Sequence, residues 1–292
     1  MLSYRHGFHA GNHADVFKHV VLVALLRRLT IKDKSLLVVD SHAGAGLYSL
    51  EQGFAVRNAE FRNGIGRIWE RRDREGVPEL VSDYLEQVRA VNPDGVLRNY
   101  PGSPRIALQL LRGQDRLRLF ELHSTEARLL ADEFAGAGRR VAVTAADGFA
   151  GLKALLPPPS RRGLVLIDPS YEVVSDYRAV ITALRDSVQR FATGTYAVWY
   201  PLLQRQEALD LPEKLRRAIT QDWLDVSLRV MPPSPDGVGL HGSGMFIVNP
   251  PWTLAERLRE AMPWLVDVLG TAGEGRPAIS NGAGFGLDLR AS

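Results

Sequence analysis

The chain has 292 residues, 45% apolar and 24% charged, with a net charge of +3. That is enough apolar material for one large α/β domain, with or without an insertion. No cysteine is present, which excludes disulfides and thiolate metal sites. The mild basic excess is compatible with a nucleic-acid partner. Only five of the 36 basic residues are lysine, which suits bidentate phosphate contacts and equally reflects an arginine-rich genome.

The first nine residues lack the long apolar segment of a secretion signal. The longest apolar run, 20–26, is far shorter than the ~20 residues that cross a bilayer. A soluble, cytoplasmic protein with no membrane partner is therefore expected. Asn12 and Asp15 open a helix in which Val16, Val20, Leu26 and Leu29 recur at helical spacing. Residues 36–40 are compact, β-branched and followed by glycine, which predicts a buried parallel strand.

From 47 to 100 no good strand occurs, and helical stretches stand at 62–72 and 79–90. We read this interval as a helical insertion between the first and second strands. The main domain then comprises 1–46 and 101–292, with 47–100 as an inserted subdomain. Its eight arginines against nine acids leave no electrostatic footprint. Further strands are predicted at 117–121, 141–144, 164–168, 196–200, 226–231 and 245–249. Helices are predicted between them at about 104–112, 124–134, 149–155, 176–191 and 204–220, with a last one from near Trp252. Alternating strands and helices imply a parallel sheet covered on both faces. No long helix separates the last two strands, so they form an antiparallel closing pair. The Gly- and Ala-rich tail after Gly270 is expected to be loosely ordered.

Four strand ends carry chemistry. Asp40-Ser41-His42-Ala43-Gly44-Ala45-Gly46 places glycines at a strand-to-helix turn, where the backbone can approach a ligand, and is otherwise a plain tight turn. Glu121 ends the second strand, where a carboxylate accepts from both hydroxyls of a ribose or stands solvated. Asp147, before Gly148, either accepts from an adenine amino group or caps the next helix. Asp168-Pro169-Ser170-Tyr171 is the most informative. The Asp168 carboxylate and the Pro169 carbonyl, both accepting from an adenine N6 amine, favour localisation of its lone pair. Tyr171 is placed to stack on a base lifted from its surroundings. Asn249-Pro250-Pro251-Trp252 matches the same pattern more literally, but it follows the last, reversed strand. There we read Asn249 as a helix cap.

Four of the seven histidines, His6, His9, His13 and His19, fall in the first 19 residues. Their spacing matches no tight metal motif, and no metal is expected. A segment facing RNA or cofactor, with Tyr4, His6, Lys18 and His19, is the better reading.

The sequence resembles the bacterial large-subunit rRNA adenine-N6 methyltransferases of the RlmJ type along nearly its whole length. The resemblance is carried by residues 2–6, 8–16 with Lys18-His19, 42–46, 100–104, 146–149, 160–163 and 190–196. It implies a Rossmann-like class I S-adenosylmethionine-dependent methyltransferase fold, a seven-stranded mixed sheet with a small helical insertion after the first strand. It further implies that His19, His42, Ser103, Glu121, Asp147 and Gly148 contact S-adenosylmethionine, with Lys18, Gly44 and Asp168 beside them. Asp168 would be the catalytic residue, with Pro169 and Tyr171, while Tyr4 and His6 would meet the substrate RNA. The family pattern is Asp-Pro-Pro-Tyr; Ser170 in the third place restores a backbone donor and loosens the turn. The expected reaction is transfer of the sulfonium methyl to N6 of one adenine in 23S rRNA, by a monomer and without metal. The alternatives are a DNA adenine methyltransferase and a non-catalytic RNA-binding protein that keeps the fold.

Overall fold

The computed structural model describes residues 6–271 and 282–291. In chain order its strands are β1 (Leu37–Asp40), β2 (Leu47–Ser49), β3 (Asn99–Pro101), β4 (Arg116–Phe120), β5 (Val141–Thr144), β6 (Gly163–Ile167), β7 (Thr195–Leu202), β8 (Trp223–Arg229), β9 (Gly242–Val248) and β10 (Gly284–Arg290). The helices are α1 (His13–Thr30), α2 (Phe54–Asn58), α3 (Ile65–Glu70), α4 (Glu79–Ala90), α5 (Ser103–Leu110), α6 (Ser124–Glu133), α7 (Gly148–Leu155), α8 (Val174–Arg190), α9 (Gln206–Ala218) and α10 (Leu254–Leu269).

One sheet runs in the order β10-β8-β9-β7-β6-β1-β4-β5. Its centre, β7-β6-β1-β4-β5, is parallel throughout. The reversed β9 lies between β7 and β8, antiparallel to both, which is the expected closing pair. This is the Rossmann-like methyltransferase sheet. Two features correct the expectation. The main sheet has eight strands rather than seven, because β10 comes from the tail expected to be loose and pairs with β8 along its whole length. The outer edge of β8 would otherwise present unpaired N–H and C=O groups, and an extended segment satisfies them. The interval 47–100 also contains strands: β2 and β3 pair antiparallel, Tyr48 opposite Tyr100, and Gly102 N donates to Gly46 O at 2.9 Å. The insertion therefore leaves and rejoins the chain beside the glycine turn.

The helix expected over 62–72 is instead a 3-10 turn at Glu60–Asn63 followed by the short α3. Gly64 separates them because it packs on the N-terminal backbone, where a Cβ would lie 2.0 Å from Gly11 O. Helices cover both sheet faces, and β6 is buried at every residue, as a central parallel strand must be. From Ala14 to Leu26 every residue of α1 is buried, including Asp15, Lys18 and His19. A helix buried all round is a core element, which accounts for the apolar run at 20–26. No helix among the described residues is long and apolar enough to cross a membrane.

Candidate active site

In parallel α/β sheets, ligands bind where the carboxyl ends of the strands meet. Here those ends open on a cavity of about 460 Å³ whose wall includes Lys18, Gly44, Glu121, Asp147, Asp168 and Trp199. The glycine turn, through Gly44, and Asp168 both line it.

One side of the cavity is built on β1, β4 and β5. Gly44 has φ +60, and a Cβ there would meet the Tyr48 hydroxyl at 2.2 Å, so the turn requires glycine. Glu121 Oε2 accepts from Gly44 N and Oε1 from His123 N, each at 2.8 Å. The strand-end glutamate thus holds the glycine turn while keeping lone pairs for a ligand. Asp147 caps α7 through Phe149 N at 2.9 Å and also lines the cavity wall. A Cβ on Gly148 would lie 1.9 Å from Ser41 O, so α7 starts in direct contact with the first strand's loop.

His42 bonds Ser41 Oγ through Nδ1 at 2.8 Å and sets its ring 4.8 Å from Phe149. Burial drops its pKa to about 4, so it is neutral at neutral pH. His19 bonds the Tyr100 hydroxyl through Nδ1 at 2.8 Å, while its buried Nε2 has no partner among the described residues. Burial, with the Lys18 charge, holds it well below the usual histidine range. Ser103 Oγ donates to Asp40 Oδ2 at 2.6 Å. Burial lifts Asp40 to about 6, despite that bond and one from His42 N.

Across the cavity, Lys18 Nζ donates to Asp15 Oδ1 at 2.7 Å and to Asp168 Oδ2 at 2.6 Å. Asp15 Oδ2 meets His6 Nε2 at 2.9 Å and accepts from Gly11 N at 3.0 Å. The chain His6–Asp15–Lys18–Asp168 therefore fixes the carboxylate at the tip of β6. Burial raises Asp168 above the ordinary carboxylate range, and the adjacent ammonium opposes that shift. Lys18 stays charged, its two carboxylates outweighing desolvation. Asp168 Oδ1 makes no hydrogen bond among the described residues. The insertion braces this corner: Glu60 Oε2 bonds His9 Nδ1 at 2.9 Å and Asn12 Nδ2 at 3.0 Å.

Lys18, His19, His42, Gly44, Ser103, Glu121, Asp147, Gly148, Asp168, Pro169 and His6 all line the cavity. Tyr4 lies outside the described residues. Tyr171 corrects the expectation of a stacking ring. It is 2% exposed, packs on Tyr177 and Trp199, and donates its hydroxyl to Trp199 O at 2.7 Å. Its φ of +54 turns the side chain into the core rather than onto the cavity wall. Asn249 is structural but caps no helix; at φ +51 its amide donates to Ala192 O and Gly194 O, and Thr253 stands at the N-cap of α10. Sequence reasoning missed Asp15, Asp40 and Trp199 as site residues. Asp15 and Lys18, three residues apart among the apolar residues of α1, were a signal; Trp199, on a buried strand, offered none.

The family model described as ribosomal RNA large subunit methyltransferase D, RlmJ, matches residues 33–280. The Escherichia coli ribosomal RNA large subunit methyltransferase J is 47% identical over 280 residues, spanning 96% of this chain and 98% of that protein. Its Haemophilus influenzae counterpart is 44% identical over 276 residues, spanning 94% and 96%. A solved protein of Legionella pneumophila superposes with a TM-score of 0.85 at 34% identity, covering 96% of this chain and 98% of its own.

Proposed function

The chain belongs to the RlmJ family of ribosomal RNA large subunit methyltransferases, and from that premise we propose that it moves a methyl group from S-adenosylmethionine to N6 of one adenine in 23S rRNA. The observation that carries this reading is the Asp168 carboxylate, held by Lys18 through Oδ2 while Oδ1 makes no hydrogen bond among the described residues, in the cavity that the glycine turn also lines.

The cavity fits a sulfonium nucleoside. Six carboxylates (Asp15, Glu121, Glu126, Asp147, Asp168 and Asp176) share its wall with a single lysine, and His19 Nε2 is a buried polar atom with no partner among the described residues. Glu121 would take the ribose hydroxyls and Asp147 the adenine amine. Gly44, Gly148, Ser103, His42 and His19 would line the remainder. When bound, S-adenosylmethionine supplies an electrophilic methyl group.

The target amine is a poor nucleophile because its lone pair is delocalised into the ring. Asp168 Oδ1 and the Pro169 carbonyl accept its two N–H bonds and favour pyramidal nitrogen in the transition state. Lys18 keeps Asp168 from drifting and balances its charge. The carbon–sulfur bond of the sulfonium would break, its electron pair going to sulfur, as the N–C bond forms, and the surplus proton on nitrogen would leave toward Asp168 Oδ1, whose raised affinity for protons suits it to receive one. Trp199, Pro201, Leu203 and Leu240 offer an apolar wall for the target base, and His6 at the cavity wall would face the RNA. In this reading 1–46 and 101–292 form the methyltransferase body, and the inserted 47–100 positions the N-terminal segment.

The test is mapping of N6-methyladenosine in 23S rRNA from cells with and without the protein, alongside transfer of labelled methyl to rRNA and to duplex DNA. One adenine losing its mark only in the knockout is expected. Methylation of DNA in preference to rRNA, or full transfer by Asp168→Ala, overturns the assignment.

A further inference from the structure

The two edges of the main sheet differ sharply in charge. Segments leaving the strands on the cavity side (41–46, 121–123, 145–147, 168–173, 203–205 and 230–241) carry one arginine against five carboxylates. Segments at the opposite edge (31–36, 111–115, 135–140, 156–162, 191–194, 219–222 and 249–253) carry seven basic residues against three acids. One of those acids, Asp115, is 1% exposed and enclosed by the Arg112 guanidinium at 3.0 Å. An acidic cavity mouth suits a sulfonium and an amine but opposes RNA phosphates. A basic surface elsewhere on the sheet is then better suited to attract a polyanionic substrate.

The basic edge is organised. Arg112 donates to the carbonyls of Thr30, Lys32 and Lys34 at 2.6, 2.8 and 3.0 Å, and Arg162 donates to those of Leu29 and Lys34, each at 2.5 Å. These bonds hold the turn after α1 so that Lys32 and Lys34 stand exposed, with Arg161 exposed on the adjoining loop. Among the described residues no carboxylate lies within 4.0 Å of these three cations. Basic residues in the last turn of a helix neutralise its dipole, which covers Arg28 and Arg190. Lys32, Lys34 and Arg161 lie outside the helices. At the same edge of the sheet, after β9, Trp252 is 79% exposed and stands 5.9 Å from the guanidinium of Arg28 on α1. An exposed indole flanked by arginine is a platform on which an unpaired base stacks.

We propose that this edge is a second RNA-binding surface, which grips rRNA phosphates remote from the target adenine through Lys32, Lys34 and Arg161 and stacks a base on Trp252. The proposal rests on the rRNA methyltransferase reading. The test compares two substrates, a short hairpin bearing the target adenine and a long 23S rRNA fragment. Wild-type methylation of the hairpin checks the reaction by itself. The full-length triple variant Lys32→Gln, Lys34→Gln, Arg161→Gln should methylate the hairpin like wild type, which also certifies its fold. On the long fragment its KM should rise about tenfold with kcat unchanged, and the slope of log affinity against log salt should become shallower by about 2. Trp252→Ala should raise the same KM roughly fivefold or more. A wild-type KM and salt slope on the long fragment overturns the proposal. So does an equal loss on the hairpin, or a loss seen with ribosomal particles but not with naked RNA, which would assign the surface to a protein.

Discussion

Residues 168–171 and 249–252 read almost alike, an acid or amide, a proline, a small residue or second proline, then an aromatic, each after a strand of the same sheet. Strand direction separates them. β6 runs with the parallel set and delivers Asp168 to the cavity, whereas β9 runs against β7 and delivers Asn249 to the opposite edge. Their aromatic residues part company too: Tyr171 is 2% exposed and Trp252 79%. The lesson is that such a motif acquires chemistry only from its neighbours. Lys18 and the glycine turn make one tip reactive; the carbonyls of Ala192 and Gly194 make the other a brace.

The comparison can be broken at its strongest point first. Asp168→Asn keeps the shape of the side chain but leaves Lys18 with one carboxylate, and methyl transfer should fall on the order of 10²–10⁴-fold. Near-wild-type single-turnover rates would remove the distinction between the two tips. Lys18→Met leaves Asp15 and Asp168 as a buried pair without their cation. It should destabilise the fold by about 3–5 kcal/mol, measured by urea denaturation; a loss below about 1 kcal/mol would show that the pair is not coupled in solution.

Asp40, another strand-end acid, sharpens the contrast through pH. Its folded pKa of about 6 exceeds the ordinary 3.8, so the native state holds this proton more tightly than the unfolded chain. The group's contribution to stability is therefore present below about pH 4 and lost as pH rises to about 6. Relative to wild type, Asp40→Asn should gain stability across that window, by up to roughly 3 kcal/mol, since each pH unit between the unfolded and folded pKa is worth about 1.4 kcal/mol. A difference between the two proteins that is flat from pH 4 to 7 would dispose of this account. The smallest effect is expected at the brace. Asn249→Ala loses two amide bonds and a residue suited to positive φ, so it should lower stability by about 1–3 kcal/mol while leaving kcat on the hairpin unchanged.

Much of this was legible from local pattern. Compact apolar runs located the seven expected strands and period-3.6 spacing most helices, since burial of a segment's apolar side chains is a local requirement. Glycines at 44 and 46 and acids at 121, 147 and 168 marked the cavity because each follows a strand end. Gly64 broke an expected helix for a reason outside its neighbourhood, contact with Gly11. β10 formed because a distant strand edge needed partners, which the composition of the tail does not reveal.

By itself, then, the amino-acid sequence determined the alternation of elements, the turn that needs glycine, and which acids terminate strands. These follow from periodicity and backbone sterics within a few residues. Only the tertiary structure decided that Lys18 meets Asp168 across 150 positions, that Tyr171 turns inward, and that positive charge gathers away from the cavity. Those outcomes depend on which distant groups share a low-dielectric space or a sheet edge, and no local pattern encodes that adjacency.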